Sequence, residues 1–226
     1  MSNQIFSNPR EDRLKNEWSE LQELNDKSET VQVVPINRLP GSEPDEFRIT
    51  LRCKGILRLD RTQEPVFGNI HTVLMKCDDD FPNQPPALYW ETDIWHPNID
   101  HERKSVCINV SEWVGSQSLV DVCRKVFEMA QYKSYHALNE PPYPLDHTVA
   151  DWVRQQAEPR GLVDKQKNIA IDNRPLYRPT APISVSVKPR AISTAPRTPQ
   201  IRFSEPHAQP APAPARSRST RIRMVG

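Results

Sequence analysis

The chain is poor in the features that mark several common protein classes. Its four cysteines, Cys53, Cys77, Cys107 and Cys123, are too few to build a disulfide scaffold in 226 residues. None of their spacings is the CxxC or CxxxxC of a zinc site, so no metal is expected. No apolar run approaches the roughly 20 residues of a membrane span, so no membrane partner is expected. The opening MSNQIFSNPRED is polar and lacks the apolar core of a signal peptide. These absences point to a cytoplasmic protein with free thiols. No repeat with a period of about 20 to 50 residues is visible either.

What is present divides in two. The length allows one domain of about 150 residues and an extension. Net charge is +1, yet residues 172–226 hold ten Lys/Arg against two Asp/Glu, a surplus of +8 that leaves the first 171 residues at −7. Ten prolines fall in the same basic stretch. Its scattered apolar residues bury too little surface to offset the entropy of ordering, so a disordered tail is expected. The expected boundaries are an unstructured 1–8, a folded domain over 9–160, and a Pro/Arg-rich linker with a basic tail over 161–226.

Within the domain the first signal is helical. Asn8 is placed to cap, Pro9 suits the first helical position and Glu11 stands where a capping box needs it. Leu14, Trp18, Leu21 and Leu24 then repeat at helical spacing, and Arg10, Arg13 and Lys15 lie on the other, charge-mixed face, which reads as solvated surface or as a docking site. From Thr30 to Trp90 the period shortens. TVQVV, EFRITLRCKGIL, NIHTVLMKC and ALYWET are β-branched or aromatic runs split by Pro, Gly and Asp, as in an antiparallel meander of four strands. Cys53 and Cys77 fall inside these runs and read as core. A second helix is marked from Ser118 to Tyr132, with Ser118 and Asp121 as its cap and Cys123 in its apolar stripe. A last helical piece starts near Asp146 and stops before Pro159.

The stretch TDIWHPNIDHERKSVCINV is different in kind. It holds a His96-Pro97-Asn98 corner, a charged bend, and Cys107 inside an apolar run. A thiol is nucleophilic as thiolate, and His101, Arg103 and Lys104 lie just upstream. No residue of this stretch is placed as a dedicated base, which argues against a Cys-His hydrolase. Acyl transfer from a thioester needs access and modest ionisation rather than a strong base. Attack by an amine then creates an oxyanion, which an amide N–H of Asn98 would stabilise by roughly 3 kcal/mol. Asn98 equally serves as a turn former that holds the corner, and spacing alone leaves both readings standing.

Helix, four-stranded meander, His-Pro-Asn, cysteine, then helices: over residues 9–158 this order resembles the ubiquitin-conjugating enzyme family, as a divergent member. Pro65 and Gly68 stand at the family's Pro-aromatic-Gly-Gly turn, Phe81-Pro82 and Pro85-Pro86 in its Tyr-Pro-x-x-Pro-Pro loop, and Trp113 near its tryptophan. ALNEPPYPLDHTVADW resembles its Pro-Leu-Asn segment and following helix. The resemblance implies an α+β fold of that family: an N-terminal helix, the sheet, a catalytic loop and C-terminal helices, followed here by the tail. It implies that Cys107 receives ubiquitin or a ubiquitin-like protein as a thioester from an activating enzyme and passes it to an amine of a protein substrate. Asn98 would stabilise the catalytic loop and the oxyanion, His96 and Pro97 would shape the corner, and Arg10, Arg13 and Lys15 would meet the activating enzyme. No cofactor is implied, because ATP is used upstream by that enzyme.

Several positions depart from the family pattern. The span from Asn98 to Cys107 is one residue longer than the family's usual span, and DHERKSV lacks the expected glycine. Asn109 replaces an Asp or Ser. His136 takes the place of an acidic residue before Pro-Leu-Asn, and reads either as a base that orients an acceptor lysine or as a surface histidine. Asn83 and Val114-Gly115-Ser116 replace the apolar residue and the Ser-Pro-Ala triplet that serve RING-type ligases, so binding of such ligases is expected to be weak or absent. This degree of divergence matches the bacterial relatives encoded in small operons, although a eukaryotic source stays open. A second reading is an inactive binding module of the same fold, against which Cys107 speaks. A third makes the tail an electrostatic arm for nucleic acid or acidic membrane, but its charges are spread out and Tyr177 and Phe203 are its only aromatic residues, so stacking on bases is poorly served.

Overall fold

The computed structural model describes residues 8–36, 41–108 and 113–178. Of the unstructured start expected over residues 1–8, residues 1–7 lie outside them, as do Asn109 and the tail from residue 179, whereas Asn8 belongs to the fold. Asn8 opens helix α1 (Pro9–Lys27): its side chain accepts from the Arg10 amide at 3.1 Å, and Pro9 occupies the first turn. Leu14, Leu21 and Leu24 are buried, and Trp18 stacks on Phe47 with ring centroids 5.8 Å apart. Glu17 falls on this same apolar face and is only 2% exposed. Its carboxylate accepts from Arg13 Nε and, at 2.6 Å, from the Leu119 amide at the start of the next long helix. A carboxylate at a helix N-terminus meets both unsatisfied amides and the positive end of the dipole.

Four antiparallel strands form the main sheet in the order β1 (Val31–Pro35), β2 (Glu46–Leu51), β5 (His71–Lys76), β6 (Ala87–Trp90). The four-stranded sheet is the one expected, with an addition. A hairpin of β3 (Gly55–Leu59) and β4 (Pro65–Gly68) is inserted between β2 and β5. The run EFRITLRCKGIL is therefore two strands, turned at residues 52–54. Gly55 allows this turn to lie flat against its neighbours: a Cβ there would come within 2.6 Å of His71 Nε2 and 2.8 Å of the Ala130 carbonyl. Phe47, Ile49 and Leu51 of β2 and Val73 and Met75 of β5 alternate onto the face covered by the helices.

Helix α2 (Leu119–Ala130) carries the full capping box, with Ser118 and Asp121 bonded reciprocally, and buries Leu119, Val122, Cys123, Val126 and Phe127. Helix α3 (His147–Trp152), capped by Asp146, continues into a wider π-helical turn over Val153–Ala157. A second apolar cluster joins this end to the hairpin, with Ile56, Tyr132, Trp152, Val153 and Val163 buried together.

The structure differs from expectation over residues 161–178, which pack on the domain instead of leaving it as a linker. Val163 and Leu176 are buried. The Ile171 amide donates to the Gln131 carbonyl, Gln131 Nε2 donates to the Arg174 carbonyl, and Asp172 accepts from the Lys54 amide at 2.6 Å. Ser28 then donates to the Leu176 carbonyl, and the Arg178 amide to Lys27. This strap satisfies backbone groups that the ends of α1 and α2 leave open, so it holds with few apolar anchors.

Candidate active site

Burial separates the four thiols. Cys53 and Cys77 are buried, and loss of water around them pushes both up to about 12. Cys123 is fully enclosed and raised by the same cause. These three are inert packing groups near neutral pH. Cys107 alone is half-exposed.

The backbone brings Cys107 to a fixed place. Ile99 pairs with Val106 across the charged bend, and Ser105 pairs with Tyr89 of β6. Asp100 organises the bend: its side chain accepts from the amides of Glu102 and Arg103 at 2.9 and 2.8 Å. The Arg103 amide holds the Asp100 carboxyl below the usual range. Where the family's glycine is missing, Lys104 adopts φ +61°, a left-handed conformation that disfavours a branched side chain and accepts a lysine at a modest cost. The bend closes despite its extra residue, and the Cys107 amide reaches the Asn98 carbonyl at 2.9 Å.

The His96-Pro97-Asn98 corner is a hub of matched polar groups. Asn98 Oδ1 accepts from the His136 amide at 2.7 Å, and Asn98 Nδ2 donates to the His136 carbonyl at 3.2 Å. The Asn98 side chain thus clamps both backbone groups of one residue, leaving one Nδ2 proton uncommitted. The Asn98 amide donates to His96 Nδ1 at 3.2 Å, so His96 carries its proton on Nε2, which faces the Ser134 carbonyl at 3.2 Å. Complete burial lowers His96 to about 3, keeping it neutral. The Pro97 carbonyl accepts from Leu145 and Asp146, registering α3 against the corner.

Asn98, Cys107, His136, Lys125 and Lys165 line one cleft of about 290 Å³, with Met129, Tyr135, Pro141 and Pro142 as its apolar part. His136 Nε2 lies 3.0 Å from the Glu140 carbonyl, which only accepts, so in the neutral ring the proton sits on Nε2 and Nδ1 carries the lone pair. The structure therefore brings together Cys107, Asn98 and His136. It places Trp113 elsewhere: its Nε1 donates to the Pro82 carbonyl at 2.9 Å, joining the Phe81–Pro86 loop to the chain beyond the cysteine.

The basic residues of α1 divide. Arg13 donates to Glu17 and to the carbonyls of Gly115 and Gln117, and Arg10 to the carbonyls of Cys77 and Asp78. Both guanidiniums are bound within the fold; Lys15 is exposed. Sequence reasoning missed Lys125, which lies in α2, and Lys165, which lies in the strap-side segment it took for a linker.

Residues 13–159 match the profile of the ubiquitin-conjugating enzyme family. Among curated relatives, "Ubiquitin-conjugating enzyme E2 K" of Homo sapiens is 27% identical over 96 residues, which cover 42% of this chain and 45% of that protein. "Protein PEROXIN-4" of Arabidopsis thaliana is 23% identical over 136 residues, covering 59% of this chain and 76% of that one. The chain spans under half the length of the first curated relatives it matches. Among solved structures, S. cerevisiae Ubc12 aligns with a TM-score of 0.49 at 20% identity, covering 66% of this chain and 74% of that one. The family profile covers well over half of the sequence, including the corner, the cysteine and all three helices but for four residues at the start of α1, and the chain belongs to the ubiquitin-conjugating enzyme family.

Proposed function

We propose that Cys107 accepts ubiquitin or a ubiquitin-like protein from an activating enzyme and transfers it to an amine, such as a lysine side chain, of a protein substrate. The Cys107 thiolate attacks the carrier's thioester carbonyl. A new S–C bond forms, the old one breaks, and the activating enzyme's thiolate leaves. An acceptor amine then attacks the Cys107 thioester, the C–N bond forms, and the thiolate departs. The acceptor's proton passes to the Nδ1 lone pair of His136 or to water. The observation that carries this reading is the single half-exposed thiol at a cleft whose far side is locked by Asn98.

Asn98 serves first as the brace that keeps the His136 segment over the thiol, and its uncommitted N–H is the one available to an oxyanion. No cofactor is needed, since the thioester arrives already activated by ATP upstream. Docking of the activating enzyme on α1 falls mainly to Lys15, because Arg10 and Arg13 are occupied. The exposed Val114-Gly115-Ser116 and Asn83 present neither the apolar contact nor the triplet of RING-type recognition, so transfer proceeds directly or through another kind of ligase.

The test combines the protein with ATP, activating enzymes and ubiquitin-like proteins, resolved on gels with and without reductant. A reductant-sensitive adduct is expected in the parent, none in Cys107→Ala, and a reductant-resistant one in Cys107→Ser. No adduct with any pair, from a folded protein whose Cys107 reacts with a thiol reagent, would instead support the binding-module reading.

A further inference from the structure

Resting on that reading, we infer that the cleft selects acceptors carrying a carboxylate beside the nucleophilic amine, such as a lysine flanked by Asp or Glu. Lys125 reaches the cleft from α2, and Lys165 reaches it from the segment that follows the π-helical turn. Among the described residues, no carboxylate lines this cleft, and neither lysine side chain has an ion-pair or hydrogen-bond partner. Two nearby acids are committed elsewhere: Glu158 accepts from the Tyr135 hydroxyl at 2.8 Å and Asp164 pairs with Lys167 at 3.0 Å. Tyr135 itself is held by the Lys165 amide, which donates to its hydroxyl at 3.2 Å, so the segment bearing Lys165 is fixed to the cleft wall.

The charge balance then favours one class of acceptor. A lysine approaching Cys107 arrives as a cation at a site that already holds two ammonium groups. Carboxylates beside it cancel the repulsion and give Lys125 and Lys165 partners. The apolar remainder of the cleft, Met129, Pro141 and Pro142, packs the acceptor's aliphatic stem. The acceptor is thus recognised by its own acidic flank, in the place where the family pattern puts an acid and this chain puts His136.

The experiment is a single-turnover chase with two lysine peptides that differ only in Asp/Glu against Asn/Gln beside the lysine. Charging of Cys107 is read in each reaction before the peptide is added, and discharge is normalised to the charged fraction. The acidic peptide should discharge Cys107 about fivefold faster at low salt, with the advantage shrinking as salt rises. Lys125→Glu with Lys165→Glu should reverse the preference toward a peptide with basic flanks. Equal rates for the two peptides on a charged, folded protein would overturn this inference and leave the conjugation reading intact. The same peptides titrated into the uncharged ¹⁵N-labelled chain separate the opposite case. If no thioester forms, yet the acidic peptide alone shifts the amides of residues 134–140, the selectivity stands and the conjugation reading falls. No shift with either peptide would count against the selectivity.

Discussion

The two walls of the cleft are built on opposite principles. On one, His96, Asn98 and the backbone at 134–136 match donor to acceptor in sequence: both His96 nitrogens, both Asn98 side-chain atoms and both Asn98 backbone groups have partners. On the other, the side chains of Lys125 and Lys165 have none among the described residues. A matched, buried wall costs much to rearrange and so fixes where Cys107 stands. An unmatched charged wall costs little to solvate and responds to whatever enters. Geometry is assigned to the first and choice of acceptor to the second.

Acid should break the matched wall most severely. His96 in the fold is lowered to about 3 against an ordinary 6.5, because burial excludes its charged form. The unfolded chain therefore binds the proton first. The contribution is fully present above pH 6.5 and is lost progressively as pH falls toward 3, on the order of 5 kcal/mol in total. Urea midpoints across that range should fall steeply, and His96→Phe, though less stable at neutral pH, should show a flatter decline. His71, lowered to about 4 by burial, adds to the same slope.

Asn98→Ala comes next. It strips the His136 amide and carbonyl of their partners, and should lower discharge of the charged cysteine about a hundredfold while costing about 1 to 3 kcal/mol of stability. Asn98→Asp keeps the acceptor but turns a carboxylate oxygen toward the His136 carbonyl, so it should fail nearly as badly. Single-turnover chase and denaturant titration read both effects.

Leu176→Ala acts outside either wall. It loosens the strap that holds the ends of α1 and α2 and should cost about 2 kcal/mol in denaturant titration, with the discharge rate of the folded fraction retained. The smallest effect is expected at Lys15. Lys15→Glu should change stability by under about 0.5 kcal/mol and slow charging by the activating enzyme a few-fold, whereas Arg13→Ala should be seen chiefly as lost stability.

The parts legible in the sequence were those fixed by neighbours along the chain. Caps at Asn8 and Ser118 and the stripes of α1 and α2 are local rules written in local residues. Cys107 and the corner also lie within one short stretch. What was not legible depends on partners distant in sequence. Glu17 looks like surface charge until Leu119 is set against it, and Arg10 and Arg13 look like docking charges until the carbonyls of residues 77, 78, 115 and 117 come within reach. Residues 161–178 have the composition of a linker because their hold is mostly backbone hydrogen bonding, which leaves no periodicity to read. The split of EFRITLRCKGIL into two strands hinges on Gly55 meeting His71 and Ala130, a tertiary contact.

The hydrogen bond that the Cys107 amide donates to the Asn98 carbonyl gives the site a clock. That proton and the His136 amide are both held through one residue, Asn98, so deuterium should enter the two positions together, at a single opening rate. A discharge reaction slower than this rate samples the cleft many times before it reacts; a faster one uses the cleft as it was found.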